Sequence, residues 1–320
     1  MSDPVLPSPL PSHQSSPTPA STQPRHGAAM QLPGAQPLPA GPAAWRPAAL
    51  RPGVVLAGLF LLLLACMALL PGVFATADPN HMDLSQRLAP LSRNHWFGTD
   101  NHGRDIFSRV VFGTRTSLIT AVAVVCIGAG LGTFIGLLAG FLGGMVDQCI
   151  MRVVDLLLAL PGTIFAIALV GVLGPSSMSV VIALSLSWWV SYARMIRGLA
   201  LQVKEQTYIQ GARLMGGGPL YIMRKHVLPN VITPVFALAT LDIGSAILHI
   251  TSLSFLGLAA QPPTAEWGAM IQSSISFMEQ APQTMLFPGL AIALSVVAFN
   301  TVGSWLKEVS DPIRLQGMVQ

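Results

Sequence analysis

Six long apolar segments run through this chain, at approximately 54–75, 117–141, 153–173, 178–193, 232–257 and 286–306. Nothing else in the sequence limits the fold so severely. A helix needs about 20 apolar residues to cross a bilayer. Backbone amides and carbonyls find no water in lipid, so such segments must pair their own hydrogen bonds, as helices do. The rest of the chain agrees, with 9% of residues charged against about 25% in a soluble domain. The expectation is an all-α integral membrane protein with six transmembrane helices. The fourth segment is short and holds Trp188, Trp189 and Tyr192, residue types that favour the membrane–water interface.

Outside the spans the sequence divides plainly. Residues 1–50 carry 12 of the 26 prolines, no lysine and few large apolar residues. Such a segment buries too little surface to offset its ordering entropy, so a disordered cytoplasmic tail is expected there. Its start has neither the charged nor the apolar region of a signal peptide. Then follow a first transmembrane helix at 51–76, a loop at 77–113 on the far side of the membrane, a core of the remaining spans at 114–306 and a cytoplasmic tail at 307–320. With the N-terminus inside, the cytoplasmic segments hold 12 Lys and Arg against five outside. The five are Arg87, Arg93, Arg104, Arg109 and Arg115, all in one loop. This bias favours both termini inside. The net charge of +4 therefore reads as membrane orientation, and no nucleic-acid partner is expected.

Within the second segment Gly128, Gly132, Gly136, Gly140 and Gly144 recur every fourth residue. That ridge lets a second helix approach closely. Pro161-Gly162 should bend the third segment. Cys66, Cys126 and Cys149 have no spacing that suggests a disulfide framework or a zinc site. They are expected to be buried small apolar residues. No Gly-x-x-x-x-Gly-Lys-Ser/Thr occurs, so the chain has no phosphate-cradling loop of its own. Nor is there a Gly-x-Ser-x-Gly elbow or a His-Glu-x-x-His pair. An enzyme is not expected and no cofactor is expected on this chain; if the chain takes part in active transport, the energy has to arrive through a partner or an ion gradient.

Residues 205–230, EQTYIQGARLMGGGPLYIMRKHVLPN, form a basic loop between the fourth and fifth segments. Gly216-Gly217-Gly218-Pro219 can reverse the chain sharply. Tyr208, Ile209, Ala212 and Leu214-Met215 give a short amphipathic helix something to bury in a partner. Gln210-Gly211-Ala212, then Gly216, then Leu228-Pro229 resembles the coupling signature of ABC importer permeases. In that pattern Glu-Ala-Ala leads, and the spacing to Gly and to Leu-Pro is the one found here. Gln210 and Gly211 depart from it. The resemblance implies a type I importer permease (MetI-like) architecture, with a cytoplasmic coupling helix docking on an ATPase.

Other stretches extend the resemblance over about 52–314. They include His95-Trp96-Phe97-Gly98-Thr99-Asp100, Gly103-Arg104-Asp105, Ser108-Arg109 and Gly143-Gly144 with Asp147, Met151-Arg152 and Asp155. They look like the dipeptide/oligopeptide/nickel branch. Ser254-Phe255-Leu256-Gly257-Leu258 and Glu266-Trp267-Gly268 are shared with peptide permeases. Asp242 and His249 tilt the resemblance toward the C-type permease of nickel importers. Membrane-embedded Asp and His are costly and usually face a cavity or a partner. Seven residues apart, they share one helix face, and imidazole suits nickel. They are expected to line a transient path, with no permanent metal site. The competing reading is a helix–helix hydrogen bond, to Ser185, Ser187 or Asn300.

The 258–285 loop holds no Lys or Arg and is expected to receive a substrate-binding protein at Glu266 and Trp267. The resemblance implies a bacterial inner-membrane permease for nickel, free or chelated, or alternatively for dipeptides and oligopeptides. It also implies a second permease subunit completing the pore, two cytoplasmic ATPase subunits carrying ATP and Mg²⁺, and surrounding lipid.

Overall fold

A computed structural model describes residues 51–310. The calls on the 1–50 tail and on residues 311–320 lie outside the described residues. Eleven α-helices follow in order: α1 (Pro52–Leu69), α2 (Pro71–Phe74), α3 (Ile106–Leu142), α4 (Gly144–Leu158), α5 (Gly162–Leu173), α6 (Ser177–Lys204), α7 (Thr207–Leu214), α8 (Pro219–Ile222), α9 (Leu228–Phe255), α10 (Trp267–Ser274) and α11 (Gln283–Ser310). Among the described residues the only extended pairing is an isolated bridge between Thr99 and Asp105. Within residues 51–310, five helical stretches are long and apolar enough to cross a membrane, and α4 with α5 forms a sixth only as a bent pair.

The limits differ from the apolar segments for identifiable reasons. Helix α3 begins at Ile106, because the Asp105 carboxylate accepts a hydrogen bond from the Ser108 amide at 2.8 Å and caps it. Arg109 and Arg115, which break the apolar run, thus lie inside the helix, and Arg109 is buried. Helix α6 runs on to Lys204, beyond the apolar stretch. The third segment is not one straight span. Its two halves meet at 86°, with Pro161 at the break ahead of α5. Gly143 and Gly144 both take positive φ, 66° and 58°, so the chain turns between α3 and α4.

Helices α3 and α6 make the main contact. Three of the ridge glycines show why. A Cβ on Gly132 would lie 2.6 Å from the Trp189 carbonyl oxygen, one on Gly136 3.0 Å from the Ala193 Cα, and one on Gly140 2.9 Å from the Ala200 Cβ. The glycines are where α6 comes closest. Gly144 does not join them, since it opens α4 and has nothing within 4 Å. Two ion pairs tie α4 to α6: Arg197 to Asp147 at 2.5 Å, and Arg194 to Asp155. Lys204 Nζ donates to the carbonyls of Gly140 and Phe141 at 3.2 and 2.9 Å, a cation on the C-terminus of α3. Helix α11 packs on α9, with Gly303 against Leu241 and Gly244 against Asn300.

Not every expectation on burial holds. Tyr192 is buried in the core and does not sit in an interfacial belt. Its position on α6, one turn from Trp188, turns it toward α9. Cys126 and Cys149 are exposed on this chain, not buried. Cys126 lines an apolar cavity between α3 and α9.

Gly132→Ala should lower stability by about 1–3 kcal/mol, the usual cost of overpacking a tight contact. Gly130, with nothing within 4 Å, should accept Ala with no loss. Thermal unfolding of the two variants in detergent checks this contrast.

Candidate functional site

The 205–230 segment folds into two short helices around a tight turn. Gln206 precedes α7 just beyond the end of α6; α7 spans one side of the turn and α8 the other. Between them Gly216 takes φ +86°, a conformation open to glycine and strained for other residues. The Gly217 amide donates to the Ala212 carbonyl at 2.9 Å and closes the turn. From Pro219 onward the helical path does not stop until Phe255. Leu228-Pro229 therefore lies within continuous helix and does not end a loop. Pro229 has no amide to donate. Immediately before it, Met223–Val227 forms a π-helical turn, with the Leu228 amide reaching back to the Met223 carbonyl.

The element has two faces. Ile209, Ala212, Ile222 and Val227 are buried. Ile209, Ile222 and Val227 pack with Ile196 and Ala200 of α6 and Leu137 of α3. The other face presents Leu214 at 90% exposure, Met215 at 85%, and Leu220, Tyr221 and Tyr208 at about half. A solvated turn has no use for that much open apolar surface, so it suits a partner. Gln210 is exposed and Gly211 has nothing within 4 Å. Both departures from the signature thus fall at open positions, where Glu or Ala would not alter the packing.

An aromatic cluster that the sequence did not reveal locks the element together. The His226 ring lies 5.9 Å from that of Tyr208 and 5.7 Å from that of Tyr221. Asn230 Nδ2 donates to the Tyr208 hydroxyl at 3.3 Å. Spacings of 5 and 18 residues along the chain give no periodic signal for such a cluster.

Further along α9, Asp242 and His249 share a face as their spacing requires. Each has a partner. The Tyr192 hydroxyl donates to Asp242 Oδ2 at 2.5 Å, tying α6 to α9. That is a helix–helix hydrogen bond, and the donor is Tyr192 rather than Ser185, Ser187 or Asn300. His249 Nδ1 donates to the Ser245 carbonyl at 2.8 Å, and its ring meets Trp188 edge-on at 5.5 Å. In the neutral ring this leaves Nε2 as an acceptor. Among the described residues no three His, Cys, Asp or Glu side chains are grouped to hold a metal.

Glu266 and Trp267 sit inside the protein. The Glu266 carboxylate accepts from the amides of Gly268 and Ala269 at 2.9 and 2.8 Å and from the Ser117 hydroxyl at 3.1 Å. It caps α10 and fastens it to α3. Trp267 is 0% exposed, and its Nε1 donates to the Val110 carbonyl at 3.0 Å. Gly113 leaves room for the indole, since a Cβ there would lie 2.9 Å from its Cδ1. These two side chains hold the loop in place, so any docked protein would meet their exposed neighbours instead.

Comparison with known proteins accords with this geometry. Residues 132–314 match the family described as binding-protein-dependent transport system inner membrane component. The chain is 40% identical over 258 residues to the probable D,D-dipeptide transport system permease protein DdpC of Escherichia coli strain K12, covering 81% of this chain and 87% of the relative. It is 42% identical over 269 residues to the glutathione transport system permease protein GsiD of Pectobacterium atrosepticum, covering 84% and 89%. It is likewise 42% identical over 257 residues to the nickel transport system permease protein NikC of Escherichia coli strain K12, covering 80% and 93%. With this family match and this degree of identity along most of its length, the chain belongs to the binding-protein-dependent transport system inner membrane component family, as a multi-pass permease of the dipeptide/oligopeptide/nickel branch.

Proposed function

We propose that this permease forms one half of a translocation pore for small peptides. A second permease subunit completes the pore, two cytoplasmic ATPase subunits bind ATP and Mg²⁺, and a binding protein delivers cargo on the opposite side. Both termini lie in the cytoplasm. The observation that carries the reading is the open apolar face of the 205–230 element, Leu214 and Met215 above all, at the base of the α3–α6–α9 core. ATP binding would draw the ATPases together and push on this face. Because α8, the π-helical turn and α9 are continuous, that push reaches Asp242 and His249 along one rod. The spans would open outward, take the cargo and reset on hydrolysis. The 258–285 loop, fastened by Glu266 and Trp267, would receive the binding protein.

Two observations favour a peptide as cargo. Asp242 is taken up by Tyr192, which leaves one imidazole rather than an Asp–His pair for a metal. Two of the three relatives described above are named for dipeptide and glutathione transport. Nickel is the second reading, and His249 supports it. A ring nitrogen donating to a backbone carbonyl while the other stays free is the usual posture of a metal-ligating histidine.

Two experiments test these readings. In proteoliposomes holding the whole importer, the paired changes Leu214→Asp and Met215→Asp should cut ATP-driven uptake at least about tenfold, equivalent to about 1.4 kcal/mol of docking energy. Gly216→Pro should do the same, since proline cannot take φ +86°. Each variant should still reach the membrane, and normal uptake in both would remove the coupling role. For cargo, a labelled dipeptide should accumulate and His249→Ala should leave its rate unchanged. Accumulation of labelled nickel that His249→Ala abolishes would establish the second reading.

A further inference from the structure

At the end of the molecule away from the coupling element, the loops 82–104 and 257–273 enclose a cleft of about 380 Å³. The two sites are far apart. Helix α9 alone separates them by 28 residues, about 40 Å at 1.5 Å per residue. Arg104, Arg109, Ser254, Gln261, Thr264 and Gln272 are among the residues that line the cleft.

The charges in it do not balance. Arg104 and Arg109 are each 5% exposed. They share one carboxylate: Asp100 Oδ2 lies 2.7 Å from Arg104 Nε and 3.7 Å from Arg109 Nε. No acidic residue is among those lining the cleft, where His102 Nδ1 lies 3.3 Å from Arg104 Nη2. Arg109 Nη1 donates to the carbonyls of Pro79 and Pro263 at 3.0 and 3.4 Å. Its Nη2 has no hydrogen-bond partner among the described residues. Arg109 also sits in the first turn of α3, where the helix dipole disfavours a cation. A buried guanidinium without its own counter-ion is costly. Pure stapling of the two loops would be served as well by one arginine and one aspartate.

A second feature points the same way. Ser254, 2% exposed, lines the cleft, and its hydroxyl has no hydrogen-bond partner. A buried hydroxyl left unpaired is rare and calls for a reason. A planar anion accepting from Arg109 and from the Ser254 hydroxyl would satisfy both at once. Guanidinium groups bind carboxylates through paired N–H donors.

We propose that this cleft is a carboxylate-binding site that takes the terminal carboxylate of a small peptide. The site rests on the peptide reading for the source of that group, and not for its chemistry. Its positive charge repels a bare divalent cation. Asp100 holds the two guanidiniums apart and in place, and the free donors meet the ligand.

The test uses the full chain within its assembled importer, in lipid nanodiscs, with N-acetyl-dialanine as probe and its C-terminal amide as control. The acid should raise the thermal unfolding midpoint saturably, and the amide should not. Arg109→Gln should abolish the shift, and Ser254→Ala should weaken the apparent affinity several-fold without moving the midpoint of the unliganded protein by a comparable amount. Arg109→Lys should restore part of the shift, which a merely structural arginine would not do. If Arg109→Gln fails to assemble, Ser254→Ala and Arg109→Lys carry the test. Equal shifts from acid and amide, or a full acid shift in the Ser254→Ala and Arg109 variants, would overturn the site. Uptake is not measured, so failure here stays separate from failure of the peptide-carrier reading.

Discussion

The close approach of α3 and α6 is the contact on which the other parts hang. It depends on glycines at every fourth position, because even one methyl group at Gly132 or Gly136 would collide with the facing backbone. In a bilayer the gain from such packing cannot come from excluding water, since lipid tails are as apolar as leucine. It comes from dispersion over a long, close interface and from the groups that lock its ends. Lys204 closes one end on the α3 carbonyls. Near the middle, Tyr192 passes the contact to α9 through Asp242. Toward the other end, Glu266 and Trp267 pin α10 to α3. One close pair of helices thus anchors both the 205–230 element and the loops at the far end.

On the proposed function, this arrangement would give the 205–230 element leverage. Ile209 and Ile222 are set into the base formed by α3 and α6, while Leu214 and Met215 stay open. A force on the open face would have two routes into the membrane: through the buried isoleucines to α6, and through the unbroken 219–255 helix toward α9. The π-helical turn ahead of Pro229 lies on the second route. Its displaced hydrogen bonds also make it the natural place for that rod to flex.

Much of this was legible in the sequence, and what was missed follows a pattern. Features set by local spacing came through: the glycine ridge, the turn at Gly216, the shared face of Asp242 and His249, and a break at Pro161. The features that were misread depend on partners distant in sequence. Arg109 looked like a loop residue because a charged side chain interrupts an apolar run, yet Asp100 and two backbone carbonyls let it enter α3. Tyr192 looked interfacial beside two tryptophans, and it is buried because Asp242 lies 50 residues away in sequence and within hydrogen-bond reach in space. Glu266 and Trp267 looked like a docking surface because a polar–aromatic pair in an acidic loop has no local sign of its partners on α3. The 86° break between α4 and α5 exceeds what Pro161-Gly162 alone announces, because Arg194 and Arg197 hold α4 against α6.

The central claim is that energy enters through the 205–230 element. Placing a photo-crosslinking amino acid at Met215 in membranes carrying the assembled importer tests it most directly. The account predicts a covalent adduct with a nucleotide-binding ATPase subunit, lost when the same group is placed at buried Ile222. Labelling of lipid alone at Met215, in vesicles that still take up cargo on ATP addition, would contradict it.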